Sequence, residues 1–128
     1  MPQVTLREKL NNEISNPLEQ MGLLAEIMDY GPQSLVGASE QLVANDKVQA
    51  KCNPSGAQDV FLPLAGDMLS RYVWVKNISA NVVTLKSHAD DLAASKGEID
   101  GAATKTLAQW KTVLLGSDGD NWDIVLAF

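Results

Sequence analysis

Apolar residues follow two rhythms along the chain, and the change from one to the other divides it. The first rhythm is helical. Val4, Leu6, Leu10 and Ile14 lie close to one stripe, with Arg7, Glu8, Lys9 and Asn12 elsewhere, and Thr5 with Glu8 fits a capping box. A second helix should follow: Asn16 can cap it, Pro17 suits its first position, and Leu18, Met21, Leu24, Ile27 and Met28 recur at helical spacing, with Leu23 widening the stripe. Gly31-Pro32 stops it, because glycine suits the left-handed cap and proline cannot continue a helix. Helices this short are not stable alone. Their stripes must pack on the rest of the chain, on a sister chain or on another protein, so Leu6, Leu10, Ile14, Leu18, Met21, Leu24, Ile27 and Met28 are the assembly candidates.

After Pro32 the period drops to two. "DKVQAKC" sets Val48, Ala50 and Cys52 against Lys47, Gln49 and Lys51, which predicts a strand half exposed to water. "NPSGAQD" is a turn cluster, and "VFLPL" a short strand whose Pro63 marks an edge or a strand end. In "SRYVWVKNIS", Tyr72, Trp74 and Lys76 should face one way, and Val73, Val75 and Ile78 the other. "ANVVTLKS" follows after a tight turn at Ser79-Ala80-Asn81, so the two should pair as a hairpin. Residues 88–104 read as a polar loop with a brief strand around Glu98-Ile99. "TKTL", "WKTVLL" and a closing hairpin across "GSDGDNW" complete the chain. The expected fold is mainly β: a short helical segment over residues 1–31, then a small antiparallel β-sandwich or barrel over residues 32–128. Residues 31–39 form the joint, and no fixed-period repeat or low-complexity tract is evident.

A chain of 128 residues is one domain's worth. A net charge of −6 argues against nucleic acid as the main partner, since that affinity comes from Lys and Arg neutralising phosphates. One cysteine, Cys52, cannot form an intrachain disulfide or a cysteine-rich metal site, and is expected to behave as a small buried or half-buried apolar residue. No stretch approaches the roughly 18 apolar residues of a membrane span, and the N-terminus lacks a signal-peptide pattern. These features suggest a soluble protein made in a reducing compartment.

Candidate chemistry is sparse. His88 stands beside Asp90 and Asp91, and Ser87 or Ser95 would complete a triad on paper, but triads converge from distant segments and no Gly-x-Ser-x-Gly motif is present. A solvated loop histidine is the simpler expectation. Asp118, Asp120 and Asp123 resemble half of a calcium loop, with the glycine misplaced and the distal Glu missing. A turn accounts for them better: Asp118-Gly119 permits positive φ, as does Asp100-Gly101, and Asp and Asn side chains bond nearby amides. Trp74, Trp110 and Trp122 could form a sugar-binding platform, but beside strands they are more simply packing residues, with Trp122 clamping the last hairpin. No catalytic, cofactor or metal residue is therefore assigned.

The order of motifs from Tyr72 onward resembles a β module common in bacteriophage structural proteins. Its parts are Val75-Lys76-Asn77, Val83-Thr84-Leu85, Ile99-Asp100-Gly101, Leu107, and Ser117-Asp118-Gly119 with Trp122, preceded by "VFLPL". The resemblance spans roughly residues 48–125 and leaves the helical lead uncovered. It implies a virion component, often trimeric: a head fibre, a capsid decoration or cement protein, or part of a tail fibre. In that setting Trp74, Asn77, Asp100, Gly101, Trp110, Asp118, Gly119 and Trp122 serve turn geometry and packing, not catalysis. A short chain with an amphipathic lead suits capsid decoration or cementing, with the major capsid protein and further copies of itself as partners, and neither nucleic acid nor membrane. It would be made in the host bacterial cytoplasm and end on the capsid surface. The alternative is a tail-fibre or baseplate module that binds host glycans, which exposed tryptophans would favour. A third class is a small enzyme or lectin acting through His88 or Asp118.

Overall fold

The computed structural model describes residues 31–128. The helical stripes and all eight assembly candidates lie outside the described residues. Pro32–Ala127 form one compact unit. Its strands are β1 (Gln33–Leu35), β2 (Ser39–Gln41), β3 (Val48–Cys52), β4 (Gln58–Phe61), β5 (Tyr72–Asn77), β6 (Val83–Lys86), β7 (Thr104–Leu107), β8 (Thr112–Ser117) and β9 (Trp122–Ala127). A 3-10 helix (Ala65–Met68) follows β4, and one short helix, α1 (Ala89–Ala93), follows β6.

The first six strands alternate between two sheets. One sheet has the order β1-β3-β5-β8-β9, the other β2-β4-β6-β7. Within each, the early strands pair in parallel: Gln33 opposite Ala50 and Ala50 opposite Val75, then Ser39 opposite Asp59 and Asp59 opposite Thr84. The chain thus winds, each strand settling beside the one two places earlier. Antiparallel strands finish the winding, with β7 on β6, β8 on β5 and β9 on β8.

The structure corrects some expectations and decides between others. The sheets are mixed rather than antiparallel, and neither closes into a barrel, since β1, β9, β2 and β7 remain as edges. β5 and β6 do not pair as a hairpin; the turn between them carries the chain from one sheet to the other. β4 lies between β2 and β6, so of the two readings of Pro63 the strand end holds and the edge does not: Pro63 falls just beyond β4, where its missing N–H disturbs no ladder. Residues 31–39, expected as the joint, carry β1 and the first residue of β2, and the polar loop carries α1.

The turn that sends β5 and β6 apart is organised by Asn77. This side chain is fully buried. Its Nδ2 donates to Asn81 O (2.7 Å) and Leu107 O (2.9 Å), and its Oδ1 accepts from Ser79 N and Ser79 Oγ. A buried amide with both ends engaged fixes the path of residues 77–81 and ties it to the end of β7.

The alternation seen in the sequence predicts the core well. Val48, Ala50, Cys52, Val73, Val75, Val113, Leu115 and Trp122 from one sheet join Val60, Val83, Leu85 and Leu107 from the other in one buried cluster. Gln49 departs from the half-exposed reading of β3, because it is buried too. Ile78 lies past the end of β5, and Asn77 takes the inward position instead. β8 and β9 form the expected closing hairpin, with an irregularity of register between Leu114 and Leu115.

Cys52 sits in this core, and burial pushes its thiol up to about 12, with the Glu40 carboxylate adding to the shift. The folded state then holds a proton that the unfolded thiol, with a pKa of about 8.5, releases. Stability should be unaffected below that value and should fall as pH rises from there toward 12. Alkylation by iodoacetamide at pH 8.5 should be negligible in the native protein and rapid in urea. Equal rates in both would show that Cys52 is accessible.

Candidate functional site

The C-terminal motifs come together at the end of the first sheet where Tyr72 lies opposite Gly116 and Gly116 opposite Asp123. Asp118 opens a tight turn: its Oδ1 accepts from Asp120 N (2.9 Å) and Asn121 N (2.8 Å), and Gly119 takes φ +98°. Those two amides, Asn121 first, hold the Asp118 carboxyl below its ordinary range. Asp100-Gly101 makes a second turn, with φ +49° and +80° and paired bonds between Ile99 and Ala102. The two turns interlock. Asn121 Oδ1 accepts from Glu98 N, Trp122 N donates to Glu98 O, Asp100 N donates to Trp122 O, and Asp100 Oδ1 accepts from Ile124 N at 2.9 Å. The edge of β9 is therefore covered over its first residues by the loop that the sequence marked as Ile-Asp-Gly.

These bonds decide what the acids do. Oδ1 of Asp118 and of Asp100 each hold the chain's own amides, and Asp120 pairs with Lys96 at 3.3 Å. Among the described residues, no group of three or more His, Cys, Asp or Glu side chains gathers to hold a metal ion. The triad drawn on paper is not assembled. His88 caps α1, its Nδ1 accepting from Asp90 N (3.0 Å), while Ser87 Oγ donates to Gly97 O (2.8 Å). His88 also lines a shallow cavity of about 230 Å³ with Gln41, Pro63 and Asp67.

Sequence reasoning named Asp91 and Ser117 but missed how they hold this end together. Asp91, read as a loop acid, is buried and accepts from Ala65 N at 2.9 Å, linking α1 to the 3-10 helix. Ser117 Oγ donates to Ala65 O at 2.6 Å and accepts from Gly119 N. Neither carries a signal in a single sequence beyond being polar in a structured stretch.

Gly119→Val should cost about 1–3 kcal/mol, because valine does not tolerate φ +98° and its Cβ would meet Leu69 Cδ1 at 3.3 Å. Asp118→Ala should weaken the same turn. Because the Asp118 pKa is lowered by folding, its contribution is present above the ordinary carboxylate range and fades as pH falls through the lowered value. Urea unfolding of both variants, repeated from pH 7 down to 2, checks this. A folded, fully stable Gly119→Val that loses a bound ligand would mean that the turn is a binding element.

The opposite end of the first sheet has other chemistry. There Lys51 lies directly opposite Lys76, and Lys76 opposite Thr112. Trp110 was expected to pack, yet it is 63% exposed, whereas Trp74 and Trp122 are 6% and 0% exposed. It sits on a turn at φ +65°, with its N–H on Asn77 O (2.6 Å) and the Lys76 ammonium 5.9 Å from its ring centre.

No known protein family matches the chain. No curated protein and no solved structure matches it either.

Proposed function

We propose that the chain is a non-enzymatic virion structural protein, a capsid decoration or cement protein of a bacteriophage. In this reading it assembles as a trimer and binds the major capsid protein. The observation that carries the proposal is the use made of the motif residues. Asn77, Asp100, Asp118, Gly119 and Trp122 all serve turn geometry, edge covering or packing, which is what the resemblance requires of them. The arrangement also suits a sandwich, since both sheets feed one core. Edges left by the winding, including the outer part of β9 with Val125 half exposed, need covering, and neighbouring subunits would cover them. Binding would act through buried area repeated over many capsid sites, so that avidity replaces high single-site affinity.

The light-scattering mass of the full chain, alone and with empty capsids of its own phage, tests the proposal. A mass of three chains with saturable capsid binding supports it. A monomer that ignores capsids sinks it. A trimer that ignores capsids favours the second reading, a tail-fibre or baseplate module for host glycans. The exposed ring of Trp110 supports that second reading, and the buried rings of Trp74 and Trp122 count against it.

A further inference from the structure

The basic side chains of this domain differ in their partners. Lys86 pairs with Asp59, Lys96 with Asp120, and Arg71 with Asp46. Lys51, Lys76 and Lys111 make no ion pair among the described residues, although the chain carries sixteen Asp and Glu against ten Lys and Arg. Lys51 and Lys76 face each other across neighbouring parallel strands, about 4.8 Å apart at the backbone, and like charges so placed repel. Lys111 follows Trp110 in the same turn, whose backbone is closed by Lys111 N on Ala108 O. A bulky residue at φ +65° is strained, and the ring it presents is exposed with one ammonium already against it. The fold thus tolerates two unfavourable features at one place, a repelling lysine pair and a strained, solvated tryptophan.

We propose that Trp110, Lys51, Lys76 and Lys111 form a binding surface for an anionic saccharide. One acidic pyranose offers both complements at once, a C–H face for the indole and a carboxylate or sulfate for the ammonium groups. A protein partner fits less well. A tryptophan at a protein interface is normally ringed by groups that exclude water, whereas this ring is 63% exposed with the Lys76 ammonium against it. Single-stranded nucleic acid would also meet a ring and cations, but it is held by a basic groove that tracks its backbone past several stacking rings, and here three lysines stand by one tryptophan. The inference rests on the second reading above only for the ligand's being a glycan; it adds the charge and the residues.

The test is calorimetric titration of the full chain with three probes. They are a hexasaccharide of alternating uronic acid and N-acetylhexosamine, its carboxyl-reduced neutral counterpart, and an oligothymidylate of matched charge. The acidic hexasaccharide should bind saturably and more weakly as salt rises, and the other two should bind at least tenfold less well. Trp110→Gly, which suits the left-handed backbone, and the triple variant Lys51→Gln, Lys76→Gln, Lys111→Gln should each weaken binding at least tenfold with unchanged circular dichroism. Equal binding of the neutral sugar would overturn the inference and keep the glycan reading. No binding of either sugar would remove both. Tighter binding of the oligothymidylate would overturn it in favour of nucleic acid.

Discussion

Trp122→Ala should destabilise the domain by about 3–5 kcal/mol, the usual cost of emptying a fully buried aromatic site. The residue is 0% exposed and lies in the cluster shared by both sheets. It is also the point at which β9 starts, with its backbone bonded to Glu98 and Asp100 on one side and its register set opposite Ser117 on the other. Loss of the ring therefore loosens the closing hairpin as well as the core. A domain of this size has a total stability of about 5–15 kcal/mol, so the variant should sit close to its unfolding threshold. Trp122→Phe is the control. The indole N–H is buried without a hydrogen-bond partner among the described residues, so phenylalanine removes an unfavourable group along with part of the ring. It should cost clearly less than alanine. Urea midpoints at constant m-value measure both. A loss below about 1 kcal/mol for Trp122→Ala would mean that the site collapses freely and the hairpin does not depend on it.

Asn77→Ala is expected to be comparably severe, at about 3–4 kcal/mol, for a different reason. Two carbonyl oxygens, of Asn81 and Leu107, lose their donor, and the Ser79 amide and hydroxyl lose their acceptor. Buried polar groups left unpaired cost about 1–3 kcal/mol each, and partial hydration lowers the sum. Asn77→Asp should be little better, because a carboxylate would then face the same two carbonyls. Hydrogen exchange distinguishes this from a simple packing loss. Protection should fall first at Ser79 and Trp110, whose amides are held by Asn77 Oδ1 and Asn77 O. Uniform loss across all strands would show that Asn77 is no more than another core residue.

The strands were legible from period-two alternation because their inward positions are apolar, and Val73, Val75, Val113 and Leu115 are buried accordingly, although Gln49, Trp74 and Leu114 on the other face are buried too. How they pair was not legible. "SRYVWVKNIS" and "ANVVTLKS" flank a short polar turn, and alternation is the same whether two strands share a sheet or face each other across a core. What decides is the Asn77 side chain reaching Asn81 and Leu107, a contact with a residue far along the chain. β1 and β2 are three residues each and largely exposed, too little pattern to detect. α1 escaped because its cap is His88, outside the usual capping set. The turns at Asp100-Gly101 and Asp118-Gly119 were readable, since their backbone needs are written in local residue types. Trp110 was not, because composition alone makes a tryptophan a core residue. The lysine cluster was invisible for another reason: only strand register brings Lys51 beside Lys76.

The winding of the first six strands also sets how the domain can come together. No strand from β1 to β5 finds its hydrogen-bond partner in the strand beside it in sequence. Local hairpins cannot act as seeds there, and each parallel pairing must close a loop that contains a strand of the other sheet. The pairs β6 with β7 and β8 with β9 are the exceptions, and the first of these spans the loop that carries α1. Folding should therefore be slow for a chain of this length, in the range typical of non-local β topologies rather than of helical domains. Until β9 pairs, the outer edge of β8 stays open, and chains caught at that stage can pair with one another there.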